Sequence, residues 1–261
     1  VAGNEVVFPA RIQMSGQTLF YDTPNFRIHY TLEGDDAATE EYVLQVAQTM
    51  EEVRTIQIEQ LGWPASPTDS VQGGNALYDV YLTNLLGVNS DTEGAMGYTS
   101  PEWPAMDNPN TAYIEEDAAA SYLVLDNDYS EDAKDATPLS LMRATAAHEY
   151  NHSLQFGYDL GDQFIWYYEA TASWMEIVTF PEEEDATHYI ENIFDYPEIC
   201  LGADPAADPT GGLLSYGSLL FIQSLVDSYG DKIPLALWEN IAKYEGWRAL
   251  EETISPYGDT I

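Results

Sequence analysis

The sequence predicts an α+β fold: an N-terminal α/β lobe with a mixed sheet over residues 1–136, then a mainly helical lobe over 137–261. Three observations lead there. Alternating apolar and polar residues, the period of a half-buried strand, concentrate in the first half. Helical spacing dominates after residue 136. The junction is marked by Thr137-Pro138, an N-cap residue followed by proline at the first helical position.

The elements follow in order. Asn25–Thr31 alternates as a strand, and Gly34-Asp35-Asp36 turns the chain. Glu41–Leu61 spaces Val43, Val46, Met50, Val53, Ile56 and Leu61 near helical intervals, and Gly62 and Pro64 end it. Tyr78–Leu82 and Ser121–Leu125 read as strands, and Gly94–Thr99 as a glycine-rich strand or strand edge. A helix is expected from Pro138 to Phe156, stopping at Gly157. A second is capped by Asp162 and reaches Phe180 before Pro181. Others are expected over 186–194, 213–229, 232–244 and 247–254, with a loop over 202–212. No internal repeat is present. The length of 261 residues suits one catalytic unit of two lobes sharing a cleft.

Composition bounds the function. There are 45 Asp+Glu against 8 Lys+Arg, a formal net charge of -37. Such a chain is repelled by nucleic-acid phosphates and anionic membrane surfaces, so neither is an expected partner. Aromatic residues make up 13%, ample for a packed core and unlike a disordered chain. No apolar run is long enough to insert in a membrane. The lone Cys200 allows no intrachain disulfide and is expected to be packed. The start, Val1–Glu5, has neither a basic nor an apolar leader segment and reads as a processed N-terminus. The end follows a helical pattern abruptly, so a longer natural chain is allowed. The acidity suits either high salt (a halophilic setting) or calcium binding, both pointing outside the cell. A monomer is the expected state.

The chemistry is carried by His148-Glu149-Tyr150-Asn151-His152, which holds half of all the histidines. Histidines at i and i+4 project from one helix face and can close on one tetrahedral Zn²⁺. Glu149 points beside the metal, where it can act as general base toward activated water. Glu169 is the expected third ligand. Sixteen residues separate it from His152, enough for a turn and a returning helix. A carboxylate amid Trp166, Tyr167, Tyr168 and Ala170 is expensive to bury unless it meets a cation. Glu176 competes, but seven residues on it lies about 10 Å further along the helix axis. It or Ser173 is better placed to support a histidine from behind.

With these residues, H-E-x-x-H followed by W-x-x-E-A-x-A-x-W-x-E, the chain resembles the gluzincin clan of zinc metallopeptidases. It is most similar to a branch of secreted bacterial members whose active-site helix reads H-E-Y/F-x-H-S-L-Q-F-G. The strong resemblance covers about 137–180. It implies an α/β lobe with an edge strand, a zinc-binding helix at the cleft and a helical lobe completing it. It also implies His148, His152 and Glu169 as ligands and Glu149 as base. Two departures stand out. Thermolysin-like members carry Asp where this chain has Ser173. Aminopeptidase members carry an amine-holding Glu after Gly-Ala-Met, where this chain has Gly97-Tyr98.

A zinc endopeptidase is therefore the expected function, with a peptide or protein lying extended against Gly97 and Tyr98 by strand addition. An exopeptidase with another amine clamp, and a non-catalytic calcium- or zinc-stabilised module, remain open at this point. The developing oxyanion needs a donor besides the metal. Tyr216 is the first candidate and His188 the second. Asp126 and Asp128 begin a D-x-D-x-S run, but Glu131 stands where an EF-hand needs glycine. A Ca²⁺ site of another kind and a solvated acidic loop are both open there, and the same holds for Asp204 and Asp208.

Overall fold

The structure, a computed structural model, describes residues 11–85, 95–104, 107–130, 136–161, 164–183, 185–201 and 208–260. Gly94, Asp162, Asp204 and the segment 131–135 lie outside the described residues.

The architecture is α+β, as expected. Five strands form one sheet: β1 (Leu19–Asp22), β2 (Phe26–Tyr30), β3 (Tyr78–Thr83), β4 (Gly97–Pro104) and β5 (Ala119–Asp126). Their spatial order is β1-β2-β3-β5-β4. The three inner strands β2, β3 and β5 run parallel, while β1 and β4 pair antiparallel at the two edges. β4 thus keeps one ladder edge unpaired among the described strands. β1 is not marked by periodicity, because three of its four residues are exposed and ladder pairing alone defines it.

The helices are α1 (Glu40–Arg54), α2 (Pro138–Phe156), α3 (Ile165–Thr179), α4 (Ile190–Asp195), α5 (Leu213–Gly217), α6 (Leu219–Tyr229), α7 (Ile233–Ile241) and α8 (Trp247–Ile254). None among the described residues is long and apolar enough to cross a membrane. The expected helix ending at Leu61 is two pieces: α1 widens into a π-helical turn over Thr55–Gln60. In that turn Gln57 is fully buried and donates to the Ala147 carbonyl of α2 at 2.8 Å. The helix expected over 213–229 is broken at Ser218. Its hydroxyl takes the Leu214 carbonyl at 2.7 Å, and Gly217 lies so close to the Tyr189 carbonyl that no side chain fits. The segment expected as one helix over 186–194 starts as a 3₁₀ turn over Asp185–Tyr189 and continues into α4. Cys200 is exposed, not packed.

Strand alternation sorts the sheet into two unlike faces. Phe26, Ile28, Val80, Leu82, Leu123 and Leu125 point to the helices and join one core with Met50, Met142, Leu154, Met175 and Trp238. That core draws on residues before and after position 137. The other face carries Tyr81, Tyr122, Val124 and Tyr98, with Ile12 and Met14 packed against it rather than helices. Arg11 crosses this face. Its guanidinium meets Asp69, reaches Asp79 at 2.5 Å, and grips Glu102 through two nitrogens at 2.6 and 2.5 Å. His29 joins through Asp79 at 2.6 Å and stacks on Tyr81.

Candidate metal centre

α2 is the middle of the molecule. Thr137 caps it by accepting from Ser140 N, and Pro138 opens it. It packs between the sheet and α1 and α3, so His148 through Gln155 are all buried. Six of these eight are polar or charged, apart from Tyr150 and Leu154, so each polar group needs a partner. The network supplies them. Gln155 Nε2 donates to Asn151 Oδ1 at 2.8 Å and to the Tyr168 carbonyl at 3.1 Å, which leaves its Oε1 as an acceptor. That oxygen lies 2.7 Å from His152 Nδ1. His148 Nδ1 lies 2.7 Å from Glu176 Oε1. Each Nδ1 therefore faces an acceptor, and both Nε2 atoms are turned the same way.

They converge with Glu169. His148 Nε2 and His152 Nε2 are 3.1 Å apart, and Glu169 Oε2 lies 3.2 Å from the first and 3.5 Å from the second. This group could hold a metal ion, and it is the only such group of three or more among the described residues. α3 delivers both acids: Glu169 faces the histidine tips, and Glu176, two turns on, reaches behind His148. Electrostatics agree with a cation-seeking site. Burial works against the charge on each histidine, but Glu169 and Glu176 overcome it for His148, and Glu169 does so for His152, so both are held above their ordinary range. Burial likewise opposes charge on Glu169, yet the two histidines hold its carboxyl well below the ordinary range.

Glu149 stands beside this triangle. Thr99 Oγ1 of β4 lies 2.9 Å from Glu149 Oε2 and 2.7 Å from the Glu149 carbonyl, its one proton shared between them. The edge strand is thereby tied to α2. Its approach is close: a Cβ at Gly97 would meet Thr145 Cγ2 at 2.6 Å, Val124 O at 3.0 Å and Glu149 Cγ at 3.1 Å. No side chain fits there, so an amine-holding glutamate has no room at this position. Tyr129, fully buried at a positive φ of 55°, anchors the start of β4 by donating to the Met96 carbonyl at 2.8 Å.

Tyr216 of α5 covers His148, ring on ring at 5.4 Å with planes 12° apart. Burial first, then Glu169 and Glu149, keep its hydroxyl protonated far above the ordinary range. His188 is a correction. It is exposed and does not line the cleft; Tyr189, one residue on, lines it and packs against Tyr216 at 5.0 Å. Ser173 is another. Its hydroxyl is buried without a hydrogen-bond partner, and of these two α3 residues it is Glu176 that supports a histidine. Asp126 turns inward: its carboxylate accepts from the backbone N–H of Leu85, Asp128 and Tyr129 and so holds its own turn. Asp128 is exposed and caps Ser130 at 2.8 Å. Asp208 caps its own turn at Thr210 and Gly212.

Sequence reasoning missed Thr99 as a partner of Glu149, and it missed Gln155 and Tyr189. Only Gln155 had a local signal, its place three residues after His152 on the same helix face. No protein-family model matches the chain, and no curated protein matches it.

Proposed function

We propose that the chain is a secreted zinc endopeptidase that hydrolyses peptide or protein substrates. The observation that carries the reading is the ligand triangle. A tetrahedral ion bound at about 2.0–2.1 Å separates its ligands by roughly 3.3–3.4 Å. The three edges here are 3.1, 3.2 and 3.5 Å. Two imidazoles, neutral once an ion takes the place of their Nε2 protons, and one carboxylate are also a donor set that suits zinc better than calcium. Bound there, Zn²⁺ would polarise a carbonyl and make water acidic near neutral pH.

The chain's own groups do the rest. Glu149 takes a proton from the attacking water and returns it to the leaving amine nitrogen. Thr99 keeps that carboxylate aimed by holding its Oε2. Tyr216 donates its hydroxyl to the carbonyl oxygen as negative charge develops. The edge of β4 that no described strand pairs accepts the substrate backbone as an added strand, with Gly97 and Tyr98 beside the base. A cleft flanked by such an edge suits an extended chain that continues past the scissile bond on both sides.

The deciding experiment is digestion of a complex, N-terminally blocked peptide mixture with and without a zinc chelator. Cleavage that stops with chelator and returns with zinc is the expected result; cleavage indifferent to the chelator, or none, defeats the proposal. Two variants refine it. Tyr216→Phe should lower kcat about 10²–10³-fold with little change in KM, read in steady-state kinetics on one peptide. Glu176→Gln should weaken zinc binding about 10–100-fold in competition with a chromogenic chelator, because His148 loses its carboxylate support. Unchanged affinity would remove Glu176 from that role.

A further inference from the structure

The cleft divides into two arms that share Gly97, Glu149 and Tyr216. The arm on the His152 side has a volume of about 360 Å³ and is walled by Phe156, Leu160, Ile165 and Tyr168, an apolar surface. The arm on the His148 side is unlike it. It is a cavity of about 220 Å³ between Met96, Thr145, Leu213 and Tyr189, and it holds two further carboxylates, Asp185 and Glu176. Among the described residues no lysine or arginine lines it.

Glu176 is the independent sign of a ligand. It is 4% exposed and spends Oε1 on His148 Nδ1, while Oε2 is buried with no hydrogen-bond partner. A buried carboxylate oxygen without a donor is rare and calls for one from whatever fills the space beside it. Asp185 stands on the same wall, with the Tyr189 hydroxyl 3.5 Å from its Oδ2. The remaining walls suit a long stem with a charged tip: Met96 and Leu213 offer apolar contact, and the Tyr189 ring offers a face for a cation.

We propose that this cavity receives a lysine or arginine side chain of the substrate, from the residue flanking the scissile bond on the His148 side, with Asp185 and Glu176 Oε2 as acceptors. The inference rests on the peptidase reading and adds its specificity. The specificity comes from position: two acids around a cavity too small for more than one long side chain. The net charge of -37 assists by drawing cationic segments to the surface.

The test uses the full zinc-loaded chain and peptides blocked at both ends. The residue on each side of the cleaved bond is varied among lysine, norleucine (a near-isostere without charge) and glutamate. At one of the two positions, kcat/KM should favour lysine over norleucine by about 10-fold or more, with glutamate the poorest. Asp185→Asn should shrink the lysine-to-norleucine ratio several-fold, and Asp185→Lys should raise glutamate above lysine. Ratios within one variant are insensitive to a general loss of active protein, and the wild-type ratio decides even if a variant fails to fold. Equal rates for lysine and norleucine, with cleavage still stopped by chelator, overturn this inference and leave the peptidase reading standing. They would assign the Glu176 oxygen to ordered water. Cleavage that requires a free α-amine assigns the two acids to the substrate's terminus and overturns the side-chain proposal. No chelator-sensitive cleavage of any peptide defeats the peptidase reading itself.

Discussion

Glu149→Gln should lower kcat for peptide hydrolysis by about 10²–10⁴-fold while zinc stays bound. The substitution keeps the shape and leaves His148, His152 and Glu169 untouched, so the ligand triangle persists. What it removes is the ability to accept a proton. The Thr99 hydroxyl still has the carbonyl oxygen of residue 149 as an acceptor at 2.7 Å, so β4 stays tied to α2 and the cleft keeps its form. Metal content and melting temperature should therefore match the parent. Measuring all three separates chemistry from structure. A variant that hydrolyses peptides at the parental rate would end the assignment of Glu149 as base. One that loses zinc or melts early would show that the residue has a structural part the geometry does not suggest.

The largest effect on stability is expected away from the group of His148, His152 and Glu169, on the other face of the sheet. Arg11→Met should destabilise the fold by about 3–5 kcal/mol, because three buried acids lose the guanidinium they share. Asp69, Asp79 and Glu102 have side chains 7%, 0% and 5% exposed, and Arg11 itself is 15% exposed, so solvent screens little of this. For a chain of this size the loss corresponds to roughly 6–20 °C in Tm. Arg11→Lys should recover only part of it, since one ammonium cannot reproduce the two-nitrogen grip on Glu102. A drop of less than about 1 kcal/mol for Arg11→Met would show that the acids find water or protons instead.

The same cluster carries a pH dependence of known sign. Burial, with Asp79 and Glu102 nearby, pushes the Asp69 carboxyl from 3.8 up to about 7 against the pull of Arg11. Between those values the folded chain holds a proton that the unfolded chain releases. The stability contributed by this group therefore falls as pH rises from about 4 through 7. Asp69→Asn should flatten that part of the stability curve, measured by urea unfolding across the range. An unchanged slope would place the titration elsewhere.

The two faces of the sheet explain how differently fold and site could be read from the sequence. Strands such as Asn25–Thr31 announced themselves because one face meets helices and the other does not, so apolar residues recur at every second position. β1 did not, being exposed and defined by its partner. The π-helical turn after Arg54 and the break at Ser218 were also invisible, because Gln57 bonding to Ala147 and Gly217 meeting Tyr189 are contacts with distant chain.

By itself the sequence determined whatever depends on the period of one helix. His148 and His152 share a face, Glu149 stands beside them, and Glu169 and Glu176 are two turns apart, because 3.6 residues per turn leaves no other outcome. Only the tertiary structure decided what stands opposite. The antiparallel pairing of β4 on β5 brings Thr99 to Glu149 and leaves room for nothing larger than glycine at 97. The packing of α5 and the 3₁₀ turn over 185–189 selects Tyr216 and Tyr189 over His188, and sets Asp185 beside Glu176. Such pairings join residues far apart in the chain and follow from strand order and helix packing, which local periodicity does not encode.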